Sequence, residues 1–139
     1  MWPKKVFIYT DGASRGNPGP CALGLQVFDS KNNLVYEESA YLEDQNTNNF
    51  AEYKAVIRAF ELAVKNKAQE LTLFSDSQLL ICQLTKKYKV KSPNIRPLFL
   101  ECQNFLNQIP QAYFEYIPRE QNKGADALAN QALDNHEII

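Results

Sequence analysis

Four acidic residues far apart in the chain, Asp11, Glu52, Asp76 and Asp126, occupy positions where a surface carboxylate is not expected. Asp11 closes the run Val6-Phe7-Ile8-Tyr9-Thr10, and Asp76 closes Leu71-Thr72-Leu73-Phe74-Ser75. Both runs read as buried strands, and in open α/β sheets sites assemble at the carboxyl ends of strands. Glu52 shares a helical face with Val56, Ala59 and Ala63, which turns it toward the core side. Asp126 lies beside Ala125 and Ala129, apolar positions of the last helical pattern. Taken singly, each acid has an ordinary explanation: Asp11 opens a turn, Asp76 caps the following helix, Glu52 complements a helix dipole. Brought together, they repel one another, and hard divalent cations compensate such repulsion through oxygen ligands. Two magnesium ions about 4 Å apart can activate a water and stabilise the leaving oxygen in phosphodiester cleavage.

The elements that must position these acids follow from residue pattern. After the first strand, the segment from Gly12 to Pro20 is dense in turn formers and reads as a loop. Two further strands are expected, at about Cys21–Phe28 and Leu34–Leu42, joined by the turn Asp29-Ser30-Lys31-Asn32-Asn33 in an antiparallel meander. Strong helix formers run from Phe50 to Lys65, with Asn48 or Asn49 as N-cap and Glu52 in the first turn. Ser77 to Leu84 reads as a short helix. Pro93 suits the start of another, with Leu98, Cys102, Phe105 and Ile109 as its apolar stripe and Pro97 tolerated early. Tyr113 to Ile117 forms a last strand, and Lys123 to Leu133 a last helix with Ala125, Leu128, Ala129, Ala132 and Leu133 inward. The order is that of an α/β protein, a mixed sheet covered by helices, with residues 1–139 expected as a single domain.

Composition narrows the options. With 139 residues, 45% hydrophobic and 22% charged, the chain can build one core and is not a disordered segment. No apolar run approaches the roughly 20 residues of a membrane span. Met1-Trp2-Pro3-Lys4-Lys5-Val6 leads almost directly into a strand and leaves no room for a signal peptide, so a cytoplasmic protein is expected. Cys21, Cys82 and Cys102 are odd in number and widely spaced, which fits reduced packing residues rather than disulfides or a zinc site. The net charge of −1 runs against nucleic-acid binding, but Lys86, Lys87, Lys89, Lys91 and Arg96 cluster without an intervening acid. That cluster is either a solvated loop or a patch for a phosphate backbone.

Four segments together resemble the motifs of type 1 ribonuclease H, in that family's order and over nearly the whole chain. They are Tyr9-Thr10-Asp11-Gly12-Ala13-Ser14-Arg15-Gly16-Asn17-Pro18-Gly19, Thr47-Asn48-Asn49-Phe50-Ala51-Glu52, Phe74-Ser75-Asp76-Ser77-Gln78 and Asn122-Lys123-Gly124-Ala125-Asp126-Ala127-Leu128-Ala129. The resemblance implies a ribonuclease H-like five-stranded mixed sheet, three antiparallel strands then two parallel, flanked by helices. It implies endonucleolytic hydrolysis of the RNA strand of an RNA–DNA hybrid, giving 5′-phosphate and 3′-hydroxyl products, with secondary cleavage of double-stranded RNA in some relatives. By the same resemblance Asp11 bridges two Mg2+ ions, with Mn2+ as a substitute. Glu52 and Asp76 complete the ligation and Asp126 holds the second metal. Asn17, Asn48, Asn49 and Gln78 match positions that contact the hybrid's minor groove, and Thr47 one that helps bind the DNA-strand phosphate. The implied partner is a hybrid duplex, with no membrane and no obligate protein partner.

Three departures from the family pattern stand out. Gln45 replaces an Arg found in some members near the DNA phosphate. The loop before Asp126 carries Arg119-Glu120 where many members have a His; the single histidine, His136, follows Asp126 and reads as a tail residue. Arg119 cannot serve as a general base, because it stays protonated; it is either a contact to the scissile or leaving phosphate or a surface loop arginine. Finally, Thr85 to Pro97 is too short for the full basic protrusion of some bacterial members. Two other functions are compatible with the acids. One is a different nuclease of the same fold, which would not need Asn48-Asn49 or Ser77-Gln78. The other is a non-catalytic nucleic-acid-binding module, which would gain nothing from negative charge beside phosphates.

Overall fold

Residues 2–138 are described by a computed structural model. Its elements are β1 (Lys5–Ser14), β2 (Gly19–Phe28), β3 (Leu34–Asn46), α1 (Asn48–Lys65), β4 (Glu70–Ser75), α2 (Gln78–Leu84), α3 (Arg96–Leu106), β5 (Gln111–Tyr116) and α4 (Lys123–Ile138). The five strands lie in the order β3-β2-β1-β4-β5. β1, β2 and β3 pair antiparallel, while β1–β4 and β4–β5 pair parallel. The three-plus-two mixed sheet expected from the motifs is the one observed.

Strand alternation divides the sheet into two faces. Val6 and Ile8 of β1, with Leu23, Leu25 and Val27 of β2, bury against Val56, Ala59, Phe60 and Ala63 of α1. On the opposite face Ala22 packs with Ala132 and Leu133 of α4. Asp11 pairs across the ladder with Gly24, and a Cβ on Gly24 would lie 2.2 Å from the Ala125 carbonyl oxygen. The missing side chain therefore seats the start of α4 beside Asp11. Gly12 serves the other face, where a Cβ would lie 2.1 Å from the Ala51 carbonyl carbon and 2.2 Å from the Glu52 nitrogen. These two glycines bring helices down on both sides of one strand end.

Several boundaries differ from expectation, each for a tertiary reason. β1 continues through Gly12, Ala13 and Ser14 because β2 supplies partners as far as Cys21, shrinking the expected loop to residues 15–18. β3 runs on to Asn46 for the same reason. The cap of α1 is Thr47, whose hydroxyl accepts from the Phe50 N–H, so Asn48 and Asn49 lie inside the helix and Glu52 falls beyond its first turn. The next helix begins at Arg96 rather than Pro93, because residues 92–95 close a turn onto the Ser92 carbonyl; Pro97 then occupies the first turn, where no N–H is needed. Ile109 is buried beyond the end of α3 rather than on its stripe. His136 is exposed but lies within α4, stacked on Tyr41 with centroids 3.7 Å apart and Nε2 3.6 Å from Asp44, so it belongs to the helix rather than to a tail.

Gly12→Ala is expected to destabilise the protein by about 2–4 kcal/mol, because the added methyl meets backbone that cannot move aside. Thermal unfolding followed by circular dichroism tests this; an unchanged midpoint would mean that α1 does not sit this close to β1.

Candidate active site

β1 and β4 are parallel neighbours, and the last residues they pair with each other are Tyr9 and Phe74. Asp11 and Asp76 each lie two residues past that pair. α1, lowered onto Gly12, brings Glu52 to the same point. One oxygen from each of Asp11, Glu52 and Asp76 lies within 4.8 Å of the others. Asp126 reaches the group from the first turn of α4, within hydrogen-bonding reach of Asp11. All four line an open cleft of about 510 Å³ with Gly12, Ala13, Ser14, Asn48, Arg119 and Asn130.

Crowding shows in the proton affinities. Burial, followed by the charge of Asp76, contact with Asp126 and the charge of Glu52, pushes the Asp11 carboxyl up to about 8. Burial and Asp76 raise Glu52 to about 7, against the opposing pull of the Ser77 hydroxyl and the Arg119 charge. A cluster offering only hard carboxylate oxygens at this spacing fits a small divalent cation, whose charge would relieve the repulsion.

Three neighbours orient the acids. Ser77, not Asp76, caps α2 by accepting from the Leu80 N–H, and its hydroxyl also reaches Glu52. Asn130 Nδ2 donates to Asp126 Oδ1 at 3.2 Å. Buried Asn122 donates from Nδ2 to Asp76 Oδ2 at 3.2 Å. The sequence points to no orienting role for any of the three; Ser77 enters there only beside Gln78, as an element suited to ribose recognition. Asn130 could have been found one helical turn after Asp126, whereas the Asn122 and Ser77 contacts depend on tertiary structure.

Of the expected substrate residues, only Asn48 lines the cleft. It accepts through Oδ1 from the Ser14 N–H at 2.8 Å, and its own N–H donates to Asn17 Oδ1 at 3.1 Å, which ties the β1–β2 turn to α1. Asn49 is half-buried with Oδ1 unpartnered. Gln78 is exposed at the start of α2, outside the cleft, beside Cys82 and Tyr116. Arg119 lies in a 3-10 turn, Arg119–Gln121, exposed at the cleft wall.

A family model described as reverse transcriptase-like matches residues 9–132. The crystal structure of RNase H1 from the halophilic archaeon Halobacterium salinarum is 38% identical, with a TM-score of 0.90 over 94% of this chain and 98% of that one. The chain belongs to the ribonuclease H1 family. A second ribonuclease H1 structure, LC11-RNase H1 isolated from compost, was solved in complex with an RNA/DNA hybrid. It is 40% identical with a TM-score of 0.89, covering 95% of this chain and 99% of that one. A bifunctional protein of Mycobacterium tuberculosis is 39% identical over 94% of this chain, which spans 36% of that protein's length.

In this ribonuclease H1 chain the raised Asp11 has a measurable consequence. The folded metal-free state holds a proton on Asp11 that the unfolded chain releases near pH 4, so the contribution of this group to stability is fully present below that pH and is lost as pH rises from there through about 8. Asp11→Asn is expected to raise the melting temperature of metal-free protein above pH 8 by on the order of 5 °C, and to do little near pH 4. Calorimetric scans across this range check the difference; a pH-independent effect would contradict the crowding.

Proposed function

We propose that the chain hydrolyses the RNA strand of RNA–DNA hybrids, leaving 5′-phosphate and 3′-hydroxyl ends. The observation that carries this is the convergence of three carboxylate oxygens within 4.8 Å, beside Asp126, in a family whose solved members include a hybrid complex. Asp11, Glu52 and Asp76 would hold one divalent cation, and Asp11 with Asp126 a second. Bound there, Mg2+ or Mn2+ supplies Lewis-acid stabilisation of charge at the scissile phosphate and lowers the pKa of nearby water.

The chain's own residues do the rest. The Oδ1 atoms of Asn17 and Asn48 accept backbone N–H groups, which leaves their amide NH2 groups to donate outward. Donors suit the acceptors that every base pair presents in the minor groove, and a ribose 2′-OH, so recognition needs no particular sequence. Asn49 and Gln78 would add further amide contacts, Gln78 from outside the cleft. Thr47 keeps its hydroxyl proton while capping α1, and that proton is free for a DNA-strand phosphate. Arg119, permanently charged, faces the scissile or leaving phosphate. Lys86, Lys87, Lys89, Lys91 and Arg96 are exposed, and none forms an ion pair among the described residues, which suits a phosphate-facing patch. Residues 1–139 act as one domain. Among the described residues no helix is long and apolar enough to cross a membrane, and the free thiols Cys21, Cys82 and Cys102 suit a reducing cytoplasm.

Cleavage of a labelled hybrid is expected with Mg2+ and not with chelator, while double-stranded DNA stays intact. Asp11→Asn should lower turnover by at least about a thousandfold with the fold retained; wild-type rates in that variant would end the metal-dependent reading. Arg119→Ala should lower kcat by roughly tenfold with little change in KM, and near-normal turnover would remove Arg119 from the mechanism. Raising salt from low to moderate concentration should weaken hybrid binding by on the order of tenfold, measured by fluorescence anisotropy.

A further inference from the structure

We propose that Asn122 is a positioning residue that sets the orientation of Asp76 and its distance from Asp11. The proposal rests on the metal-dependent reading of the site and adds a residue to which that reading assigns nothing. The parallel ladder between β1 and β4 ends at Tyr9 and Phe74, one residue short of Thr10 and two short of both aspartates. Beyond that point the strands no longer hold each other in the ordinary way. The Thr10 hydroxyl donates to the Phe74 carbonyl at 3.1 Å, and the carbonyl of Thr10 is met by Asn122 Nδ2 at 2.9 Å. The same NH2 group donates to Asp76 Oδ2 at 3.2 Å. One planar amide thus ties the residue before Asp11 to the carboxylate of Asp76 where the backbone ladder has stopped.

The amide has one orientation open to it. Both atoms facing Nδ2 are acceptors, so a flipped side chain would set oxygen against oxygen. Asn122 is 1% exposed, and its Oδ1 has no partner. An unpaired buried carbonyl costs roughly 1–3 kcal/mol. The backbone of Asn122 adds two links: its N–H donates to the Arg119 carbonyl at 2.9 Å, and its carbonyl accepts from the Asp126 N–H at 3.1 Å. Asn122 therefore touches Asp76 and the backbone of Thr10, Arg119 and Asp126.

Partners that orient metal ligands typically contribute tenfold to a hundredfold in metal affinity. The test is calorimetric titration of metal-free protein with MnCl2 for wild type, Asn122→Ala, Asn122→Ser and the packing control Leu133→Ala. The serine hydroxyl is too short to span both acceptors, and it supplies a milder variant should alanine disrupt folding. Expected is at least a tenfold loss of Mn2+ affinity in both Asn122 variants and none in Leu133→Ala, even where the three melting temperatures fall alike. In hybrid cleavage the Asn122 variants should require higher Mg2+ for half-maximal rate, with KM for the hybrid within twofold of wild type. Unchanged Mn2+ affinity, or loss of the fold in both Asn122 variants, would make Asn122 a structural residue and overturn the proposal. Absence of Mn2+ uptake by wild type would overturn the metal-dependent reading itself, and this proposal with it.

Discussion

Like charges held at a few ångströms in a partly buried site oppose folding, and the architecture around the cleft is arranged to sustain that opposition. Asp11 sits where burial and three neighbouring acids all favour its protonated form. Such a cluster persists only when the surrounding structure over-determines it. Here the determination comes from both faces of the sheet. α1 packs over Gly12 and delivers Glu52, and α4 packs over Gly24 and delivers Asp126. The apolar contacts beneath each helix supply the free energy that the acids consume, since each fully buried Leu, Val or Phe contributes about 1.5–3 kcal/mol.

The topology explains why strand ends serve this purpose. Where parallel β1 and β4 stop pairing with each other, β1 runs on against β2 and β4 ends one residue later against β5, so Asp11 stays in the β1–β2 ladder while Asp76 lies just past its strand. Side chains at that gap are based on paired strands yet line an open cleft, a combination that a free loop does not offer. Polar side chains then replace the missing ladder. Asn122 bridges the strand ends, Asn130 braces Asp126 from one turn along α4, and Ser77 both starts α2 and reaches Glu52. Arg15 joins the turn between β1 and β2 to the far part of α4 through Asp134 and Glu137, so the segment carrying Asn17 is held by the same helix that carries Asp126.

Much of this was legible in the residue order. β-branched and aromatic runs bounded by turn formers located the strands, helix formers and apolar stripes located the longer helices, and the four acids stood out because strand ends and apolar helix faces are poor places for idle charge. The misplacements share one cause, which is that local propensity yields to partners distant in sequence. Gly12 to Ser14 look like a turn until β2 is present to pair with them. Asn48 looks like a cap until Thr47 takes that role and leaves the asparagine side chain to bind the Ser14 N–H. His136 looks like a tail until Tyr41 stacks against it.

The sequence by itself determined the elements, their order, and which side chains carry chemistry, because periodicity and residue type are properties of neighbours along the chain. Only the tertiary structure decided which oxygens meet, how strongly they repel, and which amides orient them. Those quantities depend on distances between segments more than a hundred residues apart, as between Thr10 and Asn122, and on burial that no single segment specifies.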